Sequence, residues 1–154
     1  MLFGMAALGG SHAQENPVRA TYVAPRADAD RPTSNVQEVR MWMTAGGQRF
    51  AVALADNASV RAFVARLPLT LEMTDLNDNE KKFDLPKDLP ADPTRPGTIR
   101  NGDLMLWGRN TVVVFYKTFD SSYAYTRLGR VSDPTGLAQA LGRGSVRVEF
   151  SLPR

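Results

Sequence analysis

Between Tyr116 and Val131 the chain reads YKTFDSSYAYTRLGRV, a run with four aromatic rings, several hydroxyls, two arginines and a single acid. Read as a strand, its second half puts Tyr123, Tyr125 and Arg127 on one face and Ala124, Thr126 and Leu128 on the other. Rings with polar tips beside a guanidinium suit a shallow groove for a peptide or for an aromatic or anionic small molecule. Tyr116 and Phe119 extend the aromatic surface, TFDSS supplies a hydroxyl-rich lip, and Arg100 in TIRNGD offers a second cation. The competing reading is structural: the tyrosines cover the outside of a sheet, and Arg127 stacks on a ring or pairs with an acid. Both readings stand on the sequence alone.

Several other chemistries are excluded. The chain has no cysteine, and its one histidine is His12. Residues 1–13, MLFGMAALGGSHA, read as a signal peptide: an apolar run, then small residues flanking a larger one before Gln14. No Lys or Arg precedes the run, the pattern expected when the start lies inside a longer leader. Cleavage after Ala13 removes His12, leaving a mature chain without His or Cys. Ser-His-Asp and Cys-His nucleophiles are then impossible, as are the usual zinc and copper sites. Any general acid or base must be Asp, Glu, Lys or Tyr. The expected location is periplasmic or secreted, or cytoplasmic if the N-terminal run is not a leader. No other segment approaches the length of a membrane-spanning helix, so no stable membrane anchor is expected after cleavage.

The remaining constellations read as structural. Met41, Met43, Met73 and Met105 suit core filling better than a thioether metal box. Asp75-x-Asn77-x-Asn79 with Asp78 and Glu80 places oxygens near a turn, but the glycine and terminal glutamate of a calcium loop are missing. Gly46-Gly47 is too short to cradle a phosphate, and Trp42 and Trp107 read as partly buried packing residues. No metal and no cofactor is assigned. Charge is uneven: Pro68 to Pro93 holds seven acids and three bases, and Thr94 to the end nine bases and four acids. The bases are dispersed along strands, which argues against nucleic acid.

The elements that position these residues follow from period and punctuation. Residues 14–37 are polar, carry three prolines and show no sustained period, as in a flexible linker. From 38 to 154 the pattern is that of one folded domain. EVRMWMTA and QRFAVAL alternate across Gly46-Gly47, a hairpin. DNASVRAFVARLP is a helix with Val60, Phe63, Val64 and Leu67 on one stripe, Asp56 or Asn57 as cap and Pro68 as stop. LTLEMTDL and EKKFDL are strands about an NDN turn, and the proline-rich stretch 86–97 is a surface loop. DLMLWG and TVVVFYK flank Gly108-Arg109-Asn110, and the second is apolar enough to be covered on both faces. DPTGLAQALG is a short helix with Asp133 as cap and Pro134 at its first position, and SVRVEFSL closes the chain. A mainly β closed barrel of about eight strands, capped by two short helices, buries both helix stripes and leaves no sheet edge.

From about Glu38 to Leu152 the chain resembles the bacterial cyclophilin-like domain family, a divergent cyclophilin-like β-barrel. The resemblance is carried by LPLTLEMTDLN, LPKDLPADPTRPGTIRNGDLMLWG, FYKTFDSSYAYTRLGRVSDPTGLAQALG and the closing VRVEF. It implies the barrel fold. It also brings the activity of true cyclophilins into view, isomerisation of X-Pro bonds, which lowers a barrier of roughly 18–20 kcal/mol without a nucleophile. That activity uses an arginine in a Phe-His-Arg motif on the strand after the first helix. Here that strand reads LTLEMTDL, so no catalytic residue is carried over. The family also occurs beside flavodoxin-like domains, which makes a flavodoxin-like protein an expected partner. Three functions follow: a non-catalytic binding module for a peptide or small-molecule ligand using Arg100, Tyr116, Phe119, Tyr123, Tyr125 and Arg127; a divergent prolyl isomerase in which Arg100 or Arg127 replaces the missing arginine; and an accessory domain of a flavodoxin-like redox partner.

Overall fold

The computed structural model describes residues 39–154; the segments read as signal peptide (1–13) and linker (14–37) lie outside the described residues. Its strands are β1 (Arg40–Ala45), β2 (Gln48–Leu54), β3 (Leu69–Leu76), β4 (Glu80–Asp84), β5 (Thr98–Ile99), β6 (Asp103–Trp107), β7 (Thr111–Phe115), β8 (Phe119–Asp120), β9 (Thr126–Val131) and β10 (Val146–Ser151). Eight of them close an antiparallel barrel in the order β1-β10-β3-β4-β7-β6-β9-β2, and β2 returns to β1. The closed barrel expected from period-two alternation is therefore present.

The interior is filled by the apolar positions that the alternation marks. Met41, Met43, Phe50, Val52, Leu71, Met73, Val148 and Phe150 are buried in one cluster. The pattern overruns the ladder at its ends, where Val39 and Leu152 are exposed rather than inward. Helix α1 (Ala58–Val64) follows β2, and Asn57 caps it by accepting from the Val60 N–H at 2.8 Å. Its Phe63 meets Phe150 edge to face at 5.5 Å inside the barrel. Helix α2 (Leu137–Leu141) follows β9, which runs antiparallel to β2, so the two helices lie at opposite mouths. The β1–β2 turn abuts α2: Gly46, at φ 56°, has no room for a Cβ against the Ala140 carbonyl.

The start of α2 differs from the expectation. Asp133 does not cap it; its carboxylate accepts from the Thr135 N–H in a local turn, and Gly136 at φ 82° stands at the N-cap. A turn closed by the Leu137 N–H donating to the Pro134 carbonyl at 2.9 Å leads into the helix, with Gly136 in its left-handed position.

A second apolar layer sits outside the barrel wall. On β7, Val112 and Val114 face the interior, whereas Val113 and Phe115 join Ile99, Met105 and Tyr125 in a separate buried cluster. β5 and β8 pair as a small two-stranded sheet, and Thr94 bridges Tyr125. These segments cover the outer face of β6 and β7, which explains why both sides of β7 are apolar.

Candidate functional site

Alternation on β4 divides its residues between two compartments. Lys81 faces inward with no exposed surface; its ammonium donates to Asp75 at 3.0 Å and to the Gly142 and Gly144 carbonyls at 2.8 and 2.7 Å. Tyr116 is also inward. Its hydroxyl donates to Asp75 at 2.6 Å, and burial, then the Asp75 carboxylate, pushes the phenol well above its ordinary pKa. Asp75, Lys81 and Tyr116 thus form a polar plug at the α2 mouth. Tyr116 is not part of an aromatic outer surface, because it continues the inward frame of Val112 and Val114.

Glu80, Lys82 and Asp84 face outward, in register with Phe115, Val113 and Thr111 of β7. Thr111 in turn lies opposite Trp107 of β6. These outer rows floor a cavity of about 470 Å³, closed on its sides by Leu76 at the end of β3, Asn77 of the β3–β4 turn, Asn110 of the β6–β7 turn, and Tyr123 and Tyr125. Its rim is apolar yet open to solvent: Trp107 is 52% exposed, Tyr123 64% and Leu76 43%. Its floor is polar. Asp84 accepts from the Thr111 hydroxyl at 2.8 Å and from Lys82 at 3.2 Å, and these bonds, Thr111 first, hold it below the usual carboxylate range. Glu80 is only 7% exposed, and burial pushes its carboxyl above the usual range against an opposing hydrogen bond from Asn77.

Besides Tyr116 in the interior, the residues singled out from the sequence separate into three places. Tyr123 and Tyr125 line the cavity, Tyr123 as an exposed ring and Tyr125 as a buried one, its ring edge-to-face with Phe115 at 5.5 Å. Phe119 backs the same layer, 5.7 Å from Phe115, and does not line the cavity. Arg100 and Arg127 lie elsewhere. Arg127 is 3.5 Å from Asp103, a fully buried carboxylate that also accepts from Arg130 Nε at 2.7 Å and from the Arg100 N–H at 2.9 Å. The arginine therefore holds a structural acid, and the expected row of Tyr123, Tyr125 and Arg127 on one strand face does not form: β9 begins only at Thr126, with a register shift opposite Leu104 and Met105.

The sequence reading also missed lining residues. Glu80, Lys82 and Asp84 share one parity in EKKFD, and Trp107 shares the outward parity of Asp103 and Met105, opposite to Leu104 and Leu106. That parity was the available signal, and the expectation of a partly buried Trp107 gives way to an exposed rim residue.

Comparison with known proteins places this architecture. The model of a cyclophilin-like family matches residues 43–151, and the chain belongs to that family. Among solved structures, the solution structure of the hypothetical protein AF2241 from Archaeoglobus fulgidus is similar at 17% identity, with 75% of this chain and 95% of that chain covered and a TM-score of 0.48. No curated protein matches.

Proposed function

We propose that the chain is a non-catalytic binding module that takes a peptide segment or small ligand into the outer cavity between β4, β7, β6 and the covering layer. The carrying observation is the pair of exposed rings, Trp107 and Tyr123, standing over a floor of side-chain hydrogen-bonding groups. Large aromatic surface left open to water beside a concave polar floor is the composition of a recognition site rather than of a packed wall. A cavity of about 470 Å³ is of the size that encloses a small molecule or a few peptide side chains. The module is read as acting outside the cytoplasm, on the strength of the apolar run 1–13, and a flavodoxin-like protein is a candidate partner. N-terminal sequencing of exported material tests the first point, and pull-down with flavodoxin-like proteins the second.

The site itself is tested by fluorescence. The chain has two tryptophans, so a Trp42→Phe background isolates Trp107. Titration with peptides and small ligands chosen by thermal shift is expected to change its emission saturably, and Trp107→Ala and Tyr123→Ala are expected to weaken binding. Ligands whose affinity survives both changes would place recognition elsewhere. No arginine lines the cavity among the described residues, so an isomerase acting here would lack the expected donor. Acceleration of X-Pro isomerisation that disappears in Arg100→Ala or Arg127→Ala would reject the non-catalytic reading.

A further inference from the structure

We propose that the outer cavity anchors an organic ammonium group, with Glu80 as its counter-charge and the Trp107 and Tyr123 rings on the rim of the same cavity. This deepens the binding reading above and rests on it. The first support is an uncompensated charge. Glu80 is 7% exposed and lines the cavity, and its side-chain partner is the neutral amide of Asn77. Lys82 is the one basic residue in the lining, and its ammonium is already placed on Asp84 at 3.2 Å. A carboxylate removed from water without a cation is costly unless something supplies the opposite charge. A ligand cation arriving from solvent does so.

The second support is the wall chemistry. Aromatic faces attract cations through their ring quadrupoles, and Trp is the strongest of the three aromatic types. Trp107 and Tyr123 offer such faces, while Leu76 and Val113 offer surface for an apolar stem. The lining carries two acids and one base, so its formal balance, one positive minus two negative charges, is −1. A metal ion fits poorly, because Asp84 is engaged by Lys82 and Thr111 and no cluster of three metal-binding groups occurs among the described residues. An ammonium fits better than a guanidinium, because Asn77 already occupies part of the Glu80 carboxylate and the remainder suits a point charge more than a planar fork.

Charged and titratable groups around Glu80 set the pH response. They are Asp75 on β3, Lys82 and Asp84 on β4, and Tyr125 from the covering layer. Only Glu80 is held above the usual carboxylate range among these acids, so ammonium affinity is expected to fall first as Glu80 takes up its proton on acidification.

The test uses the chain spanning residues 1–154 and calorimetric or NMR titration at neutral pH. The probes are n-butylammonium and tetramethylammonium, the neutral n-butanol, and a capped tripeptide with central lysine beside its norleucine counterpart. n-Butylammonium and the lysine peptide are each expected to bind about tenfold tighter than n-butanol and the norleucine peptide, and Glu80→Gln is expected to remove most of that difference and to weaken tetramethylammonium, while Trp107→Ala weakens all probes. Thermal melts establish that the Glu80→Gln chain is folded. A lysine peptide that binds more tightly than the free amines identifies a peptide source, and the reverse order a free amine; either agrees with the proposal. Equal binding of cationic and neutral probes overturns it and leaves the binding reading standing. A preference undiminished in Glu80→Gln also overturns it. If no probe binds while other ligands still report at Trp107, the ammonium assignment fails alone; if nothing reports at Trp107, both fail.

Discussion

Glu80 and Asp75 are neighbours across the β3–β4 turn, yet their folded pKa values move in opposite directions. Burial favours the neutral form of Glu80, and its folded pKa is raised. The folded chain therefore keeps that proton to a higher pH than the unfolded chain does. Stability from this group is lost as pH rises from the ordinary carboxylate range through the raised value. Glu80→Gln is expected to raise Tm at pH 7, with the gain disappearing below about pH 4, as melts across that range will report. At Asp75 burial also pushes the carboxyl up, but the hydrogen bonds from Tyr116 and Lys81 together outweigh it and the folded pKa is lowered. Its contribution is present above the unfolded value and is lost as pH falls through the folded one. Asp75→Asn strands the fully buried Lys81 ammonium on two carbonyls, and urea unfolding is expected to show a loss of about 3–5 kcal/mol. Neither acid was legible as a charged centre in the sequence. The oxygens of the turn were visible, but which ones face a lysine and which face a groove depends on strand parity and on the ladder partner across the barrel.

At the scale of elements, strands were legible and their junctions were not. The alternating runs that became β1, β2, β3, β10 and the apolar β7 carry their own period, and a sheet that buries one face must honour it. The stretch 116–126 carries no such constraint. Tyr116 belongs to the frame of β7, Phe119 to the short β8, Tyr125 to an isolated bridge and Arg127 to β9, so counting by twos from one to the next crosses three breaks. The same limit applies to α2, whose start was placed at Asp133 because capping residues favour turns as readily as helices. Arg127 provides the check on this reading. Arg127→Ala is expected to leave ligand affinity unchanged and to lower stability by less than about 1 kcal/mol, since the guanidinium is partly exposed and Arg130 still holds Asp103. Parallel titration and melting measure both. Gly46→Ala is expected to cost at least about 1 kcal/mol, because it combines a left-handed backbone with a Cβ directed at the Ala140 carbonyl.

The described residues form a closed wall with an apolar filling on one side and a covered patch on the other. Phe63 links helix and barrel within the filling, without exposed surface and edge-on to Phe150. Phe63→Ala is expected to cost about 3–5 kcal/mol in denaturant unfolding, with little change in a ligand site that lies across the wall. The division of β4 has a wider consequence. Its five residues act as a partition read from both sides, Lys81 and Phe83 from within, Glu80, Lys82 and Asp84 from without. Side chains on one side of the strand do not share a compartment with those on the other, so the outer cavity and the interior are lined by separate sets of positions. A single codon inserted between Lys81 and Lys82 breaks that separation: it turns Phe83 toward the outer cavity and two charges toward the filling, and is expected to abolish folding.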